Sequence, residues 1–358
     1  MKKIFHLTCF FFALATLAAT ARAGSKDRML DVYWIDSEGG GSTLIVTPND
    51  ESVLIDAGNP GTRDPSRIVA AAKAAGLARI DHLLITHWHT DHFGGAAQLA
   101  ELIPIGEIYQ RALPDTDPDL RGDASWVLRS KPYRALTIKR EALAPGVAIQ
   151  LKPVNGGPGL ALRCLAADQK FIAPTAEQRA HPTALGEVPD RPPENDPDNN
   201  NSAVFLLSFG DFRFFDGADL TWALEPNLVK PYNLVGPVDV YQTDHHGLDR
   251  SNNPLLIRGL TPTVAVMNNG PRKGGQAGTL ATIRATPSIQ ALFQMHKSLS
   301  VPAEANTADD HIANLAEVRP ADKCPANIIK MSVAPDGKSY TISIPANGYT
   351  HTYATTAK

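Results

Sequence analysis

The run Thr86-His87-Trp88-His89-Thr90-Asp91-His92-Phe93-Gly94-Gly95 places four metal-capable side chains within six residues. It follows directly on the apolar stretch Ile80–Ile85. Imidazoles and carboxylates are the ligands that borderline divalent metals such as zinc take. Residues two apart at the end of a strand share a face, so His87 and His89 can grip one ion. Asp91 and His92, past the strand end, can reach a second ion about 3.5–4 Å away, the spacing of two-metal hydrolytic sites. Only 11 histidines occur in 358 residues, so three within six positions is a dense cluster.

The elements that must carry this motif alternate along the chain. Leu30–Ile35, Ser42–Thr47 and Ser52–Ile55 read as strands, the first two split by Gly39-Gly40-Gly41. That glycine run lacks the lysine-serine or helix start of a phosphate-binding loop. Asp64-Pro65 opens a helix over Ser66–Ala75, which Gly76 closes. Strand Ile80–Ile85 then delivers the motif, and a helix begins over Gly95–Leu102. Gly210-Asp211 marks a hairpin between Ala203–Ser208 and Phe212–Phe215. Val238–Gln242 and Thr263–Met267 are further strands, residues 279–297 have helical spacing, and Ile328–Val333 with Tyr340–Ile344 form a closing hairpin. This is an α/β layered pattern with mixed sheets.

Residues 110–200 are rich in Pro, Asp, Gly and Asn, and Pro192–Asn201 contains no apolar residue but proline. This stretch is expected to form a lid-like insertion that selects substrate.

Residues 1–23 have the form of an export signal: Lys2 and Lys3, an apolar core from Ile4 to Ala18, and the small-x-small site Ala21-Arg22-Ala23. The expected mature domain is residues 24–358, periplasmic or secreted, with no membrane span after cleavage. Loss of Lys2, Lys3 and Arg22 leaves 31 basic residues of the original 34 against 37 acidic ones. That balance argues against a stable nucleic-acid complex. It does not exclude phosphodiester chemistry, because bound cations invert the local field. Cys164 and Cys324 could form a disulfide in an oxidising compartment. Neither has a His or Cys neighbour in sequence, so neither is expected to hold metal.

The motif resembles the His-x-His-x-Asp-His signature of the metallo-β-lactamase superfamily, with Val53-Leu54-Ile55-Asp56-Ala57-Gly58 matching its upstream strand and Asp-x-Gly turn. The resemblance spans about residues 30–260 and implies an αββα sandwich of two mixed β-sheets flanked by helices, with a metal site at one sheet edge. It assigns the bridging aspartate to Asp219 in Phe214-Phe215-Asp216-Gly217-Ala218-Asp219, with Asp216 as the alternative. It assigns the last histidine to His246 in His245-His246-Gly247. The His-His-Gly ending and the Asn-Asn-Ser entry to the hairpin look most like the hydrolase-like domain of DNA-uptake competence proteins, without their membrane channel.

On this resemblance His87, His89 and Asp219 hold the first ion, while Asp91, His92, His246 and shared Asp219 hold the second. The implied ions are two divalent metals, zinc or else manganese or iron, and a hydroxide bridging them is the nucleophile. Asp91 could orient that hydroxide, and His245 would donate a proton to the leaving group. Asp56 would fix a histidine tautomer, and Trp88 would pack in the core. His82 and His296 are expected to be structural. The loop Asn268–Gly275 with Arg272 and Lys273 could clamp a substrate anion, or be a solvated turn. One departure stands out: many members carry a further histidine on the loop before the hairpin, where this chain reads Asp196-Pro197-Asp198-Asn199-Asn200-Asn201-Ser202. Asp198, an asparagine oxygen or His181 are the candidate substitutes. The expected activity is hydrolysis of a phosphodiester or related ester, with lactone or β-lactam hydrolysis and non-catalytic metal binding as alternatives.

Overall fold

The computed structural model describes residues 24, 26–188, 191 and 197–356. The expected export signal and part of the Pro192–Asn201 run lie outside these residues.

Seventeen strands occur among the described residues. They are β1 (Leu30–Trp34), β2 (Thr43–Val46), β3 (Ser52–Ile55), β4 (Ile80–Ile85), β5 (Ile105–Gln110), β6 (Lys139–Ala142), β7 (Leu160–Ala167), β8 (Lys170–Phe171) and β9 (Val204–Phe209), then β10 (Phe212–Asp216), β11 (Val240–Gln242), β12 (Val264–Met267), β13 (Ala291–His296), β14 (Ile312–Asn314), β15 (Ile329–Val333), β16 (Ser339–Ile344) and β17 (Tyr349–Ala354). One sheet runs β17-β16-β15-β1-β2-β3-β4-β5-β6 and the other β14-β13-β12-β11-β10-β9-β7-β8. Both are mixed: β3, β4, β5 and β6 pair in parallel beside antiparallel β1, β2 and β3, and β10 to β14 are parallel beyond the antiparallel β9/β10 hairpin.

Alternation along the strands sends side chains to opposite faces. Leu30, Val32 and Trp34 of β1 meet Phe205, Phe214 and Val266 of the other sheet in a shared core. Tyr33 and Ile35 instead pack outward with Ile68 and Ala72 of helix Arg63–Ala74 and Leu99 of helix Ala96–Leu102. On the far side, Phe215 and Tyr241 pack with Leu256 of helix Pro254–Leu260 and Leu280 of helix Ala277–Arg284. The layers are therefore helix, sheet, sheet, helix, as expected of the αββα sandwich. A polar tie crosses between the sheets: Trp34 Nε1 and Thr43 Oγ1 donate to Gln242 Oε1 at 2.7 and 2.9 Å.

Several expectations are corrected. Residues 279–297 are not one helix; the helix stops at Arg284 and β13 follows, every residue of which is buried. A strand buried on both faces has no alternation to read. The 110–200 stretch is not an irregular lid throughout, since it supplies β6 at one edge of the first sheet and β7 and β8 of the second. Cys164 and Cys324 are both free and buried, with Cys164 Sγ against Ala166 O and Cys324 Sγ 3.7 Å from Asp36 Oδ2. No described helix is long and apolar enough to cross a membrane.

Candidate metal centre

The histidine motif begins where β4 ends, and Thr90–Phe93 turns into a single helical turn whose first carbonyl partner is His89. From the other sheet, Asp219 follows β10 and His245-His246 follow β11. The centre thus sits on the seam between the two sheets, at the carboxyl ends of adjacent strands. His245 and His246 both take left-handed backbone, φ 52° and 56°, with Gly247 next at 78°. Such residues cost about 1–3 kcal/mol each and persist when surroundings fix them. Here His245 N donates to Ala218 O at 2.7 Å, and His246 O accepts from Gly275 N at 3.1 Å.

One oxygen is the hub. Asp219 Oδ2 lies 3.3 Å from His92 Nε2, 3.4 Å from His245 Nε2, 3.5 Å from His246 Nε2 and 3.8 Å from His87 Nε2. His92 and His246 Nε2 are 3.2 Å apart, and Asp91 Oδ2 is 3.6 Å from each. Donors held 2.0–2.2 Å from one tetrahedral ion lie about 3.3–3.6 Å from one another. Four of the five separations among Asp91, His92, Asp219 and His246 fall in that range, and the fifth, at 3.2 Å, lies just under it. His87 Nε2 is fully buried and makes no hydrogen bond with the described residues. An orphaned buried nitrogen of that kind is costly unless something binds it. The donors present thus fit divalent ions.

The outer contacts fix which nitrogen faces inward. Asp56 Oδ2 accepts from His92 Nδ1 at 2.7 Å and from Thr86 Oγ1 at 2.7 Å. Because the Thr86 hydroxyl donates to Asp56, it accepts from His87 Nδ1 at 3.0 Å. One carboxylate, directly and through one hydroxyl, presents both Nε2 atoms to the centre. Asp56 is held in turn by the backbone N–H of Thr86 at 2.9 Å. Gly41 is required beside this pair, for a Cβ there would stand 2.6 Å from His92 Nδ1 and 2.8 Å from Asp56 Oδ2. Asp56 thus takes the orienting part assigned to it on sequence.

Charge is unevenly shared. Burial disfavours the imidazolium of His92, yet Asp219, Asp56 and Asp91 outweigh it and hold its pKa well above the usual range. Burial and then the neighbouring His92 push His87 well below it. Burial lowers His245 to about 3. Burial would raise Asp219, but His92, His246 and His245 hold it well below an ordinary carboxyl. Asp216, the alternative bridging residue, is buried beside the centre, and burial pushes it up to about 7; its Oδ1 accepts from Ala218 N.

His89 is placed differently from the other motif residues. Its Nε2 faces both carboxylate oxygens of Asp119 at 3.1 Å, and its ring centroid is 4.8 Å from that of His87. Asp119 has no sequence signal; it lies in a proline- and aspartate-rich loop 30 residues downstream. The candidates for the departed loop histidine divide sharply. The Asp198 carboxylate is taken up by the backbone N–H of Trp88 and by Arg111 Nη1, so it braces the motif from behind. His181 is exposed, at the C-cap of helix Ala176–Ala180. Asn199 is buried with Nδ2 3.4 Å from His245 Nε2, and its Oδ1 makes no hydrogen bond with the described residues.

A surface cavity of about 420 Å³ opens over the centre, floored by His89, Asp91, Asp219 and His245. Arg121, Arg129, Arg250 and Lys273 line it as well. Lys273 Nζ pairs with Asp91 Oδ2 and lines the cavity, so this part of the loop stands at the centre rather than forming a solvated turn. Arg272 instead pairs with Glu317 on the surface. A larger cavity of about 760 Å³, lined by Arg191, Trp222 and Leu255 among others, holds none of the sequence-predicted ligands.

The structural histidines behave as such. His82 sits between Glu107 and Glu51, and Trp88 packs against Phe93 and Tyr133 with Nε1 on Ala112 O. His296 lies on β13 rather than a helix and pairs with Asp36 at 2.8 Å. Cys324 does have a histidine neighbour in space, which the linear sequence conceals: Asp36, Glu38, His296 and Cys324 gather within 4.8 Å. Arg67 already supplies the cation there, 3.1 Å from Asp36 and 3.6 Å from Glu38. We read that cluster as a buried ion-pair network between the sheets.

The two mixed sheets flanked by helices are consistent with the metallo-β-lactamase fold. Residues 36–172 match the model of the Metallo-beta-lactamase superfamily. The chain is 37% identical over 73 residues to an atrochrysone carboxyl ACP thioesterase of Cryptosporiopsis sp. (strain 8999), covering 20% of this chain and 22% of that protein. It is 38% identical over 77 residues to a lactamase-like protein of Neosartorya fischeri, covering 21% and 23%. The chain thus spans about a fifth of the length of these curated relatives. Among solved structures, the metallo hydrolase Igni18 from Ignicoccus hospitalis KIN4/I is 13% identical with a TM-score of 0.40, covering 74% of this chain and 94% of that one.

Proposed function

We propose that this chain is an exported hydrolase that uses two divalent metal ions to cleave a phosphodiester or related ester. The observation that carries the reading is the hub at Asp219 Oδ2, ringed by four imidazole nitrogens at 3.3–3.8 Å beneath an open cavity. His87, Asp91, His92, Asp219 and His246 would hold the ions, with His89 held by Asp119 at the rim of the same centre. Bound there, the ions would supply Lewis acidity and an activated water.

The chain's own residues supply the rest. Asp56 and Thr86 set the imidazole tautomers, and Asp198 braces the Trp88 backbone between His87 and His89. Three arginines and Lys273 line the cavity together with Asp91, Asp119 and Asp219, and two bound divalent ions would leave its net charge positive. That field favours an anionic substrate, which supports a phosphoester over a neutral lactone. Export is inferred from the charged start and apolar run of residues 1–23. A second reading, cleavage of a carboxylic ester or thioester, is favoured by the similarity to the thioesterase relative.

The test is metal analysis of the purified protein with hydrolysis of bis-p-nitrophenyl phosphate, an acyl thioester, a lactone and nitrocefin side by side. Two ions per chain with phosphodiester turnover that a chelator abolishes supports the first reading. Turnover of the thioester alone supports the second. Absence of bound ions and of all turnover overturns both.

A further inference from the structure

We infer that His245 is a ligand of the first metal ion and takes the place of the histidine missing from the loop before the hairpin. This rests on the two-metal reading above and concerns how its first ion is completed.

Three observations carry it. The first is position: His245 Nε2 is 3.4 Å from Asp219 Oδ2, as close as His92 and His246 are and closer than His87 at 3.8 Å. The second is orientation. Ser251 Oγ donates to Leu220 O at 2.7 Å, so at His245 Nδ1, 3.3 Å away, it is an acceptor. The Nδ1 therefore carries the proton and Nε2 turns its lone pair inward. His87 and His92 are set the same way by Thr86 and Asp56. A metal-binding imidazole ordinarily gives its other N–H to an oxygen in this manner. The third is elimination within the loop. Both oxygens of Asp198 are occupied by Trp88 N–H and Arg111 and His181 is at the surface, which leaves the buried Asn199 Oδ1 as the one competing donor among the described candidates.

The backbone supports the same assignment. His245 and His246 are successive left-handed residues whose ring centroids lie 6.0 Å apart with ring planes at 70°, and both Nε2 atoms still reach Asp219 Oδ2. His245 lines the floor of the cavity with its side chain buried, and Asn199 Nδ2 stands 3.4 Å from Nε2. The His-His pair in this sequence is thus a ligand to each ion in turn.

The experiment uses the purified protein, stripped with chelator and titrated with Zn2+ and Co2+. Bound ions are counted by elemental analysis, and affinities are measured by calorimetry. Wild type is expected to bind two ions. His245→Asn is expected to keep one site unchanged and to weaken the other at least about tenfold, with a reduced Co2+ ligand-field absorption. Ser251→Ala, which leaves the imidazole in place, is expected to weaken the same site by a smaller factor, so a folding defect in the first variant does not decide the matter. Two unchanged sites in His245→Asn overturn the inference while leaving the hydrolase reading intact. Loss of one ion in Asn199→Leu with none in His245→Asn overturns it in favour of the asparagine. A wild type that binds no ion overturns the hydrolase reading and the inference together.

Discussion

The ammonium of Lys273 rests on the carboxylate of Asp91, 182 residues away in sequence, in the mouth of the cavity. Burial alone would raise the Asp91 carboxyl, but Lys273 and then His92 hold it well below the usual range. Lys273 and a divalent ion therefore compete for one oxygen. Lys273→Met is expected to tighten the ion on the Asp91 side severalfold. It should also raise KM for an anionic phosphodiester while leaving KM for a neutral ester unchanged. Calorimetric titration and parallel kinetics on the two substrates check it.

Asp219 has no substitute, because its Oδ2 is the atom that every inward imidazole faces. Asp219→Asn is expected to reduce bound metal from two ions to one or none and hydrolysis to background. Elemental analysis beside a rate assay measures both.

Asp56 touches no ion position yet orients two imidazoles. Asp56→Asn is expected to weaken metal binding about 10–100-fold, the scale of losses when the oxygen behind a metal-bound histidine is removed. Thr86→Val should reproduce part of this, confined to the ion that His87 holds. The comparison is made by competition with a chromophoric chelator.

The buried carboxyl of Asp216 gives the metal-free protein a signature in pH. Burial holds its folded pKa at about 7, above the ordinary aspartate value of 3.8. The folded state then holds the proton longer than the unfolded one, and this residue's contribution to stability declines as pH rises from about 4 to about 7. Below that window both states are protonated and no penalty exists; above it both are ionised and the slope flattens. Asp216→Asn retains the acceptor for Ala218 N and removes the titration. Its denaturation midpoint, relative to wild type, is expected to climb between pH 4 and 7.

Much of the scaffold was readable because its signals are local. Gly210-Asp211 between two apolar runs gave the β9/β10 hairpin, and Ile80–Ile85 was placed to the residue. The β13 strand was not, because Ala291–His296 is buried throughout and its composition does not separate strand from helix. The histidine motif could be read because all its members sit in one short loop. Asp119, Thr86 as a relay and Lys273 against Asp91 could not, since each depends on a loop path that no periodicity encodes. The Cys324 cluster escaped for the same reason: its four members come from residues 36, 38, 296 and 324.

His87 and His92 extend from one sheet, whereas Asp219 and His246 extend from the other. Any ion lodged among them is a rivet through the sandwich. Its free energy of binding then opposes separation of the two halves, worth about 2.7 kcal/mol when free metal is a hundred times its Kd. Scarce metal in the surroundings would thus show first as a lower melting temperature, and the same scarcity that silences the enzyme would loosen the whole molecule.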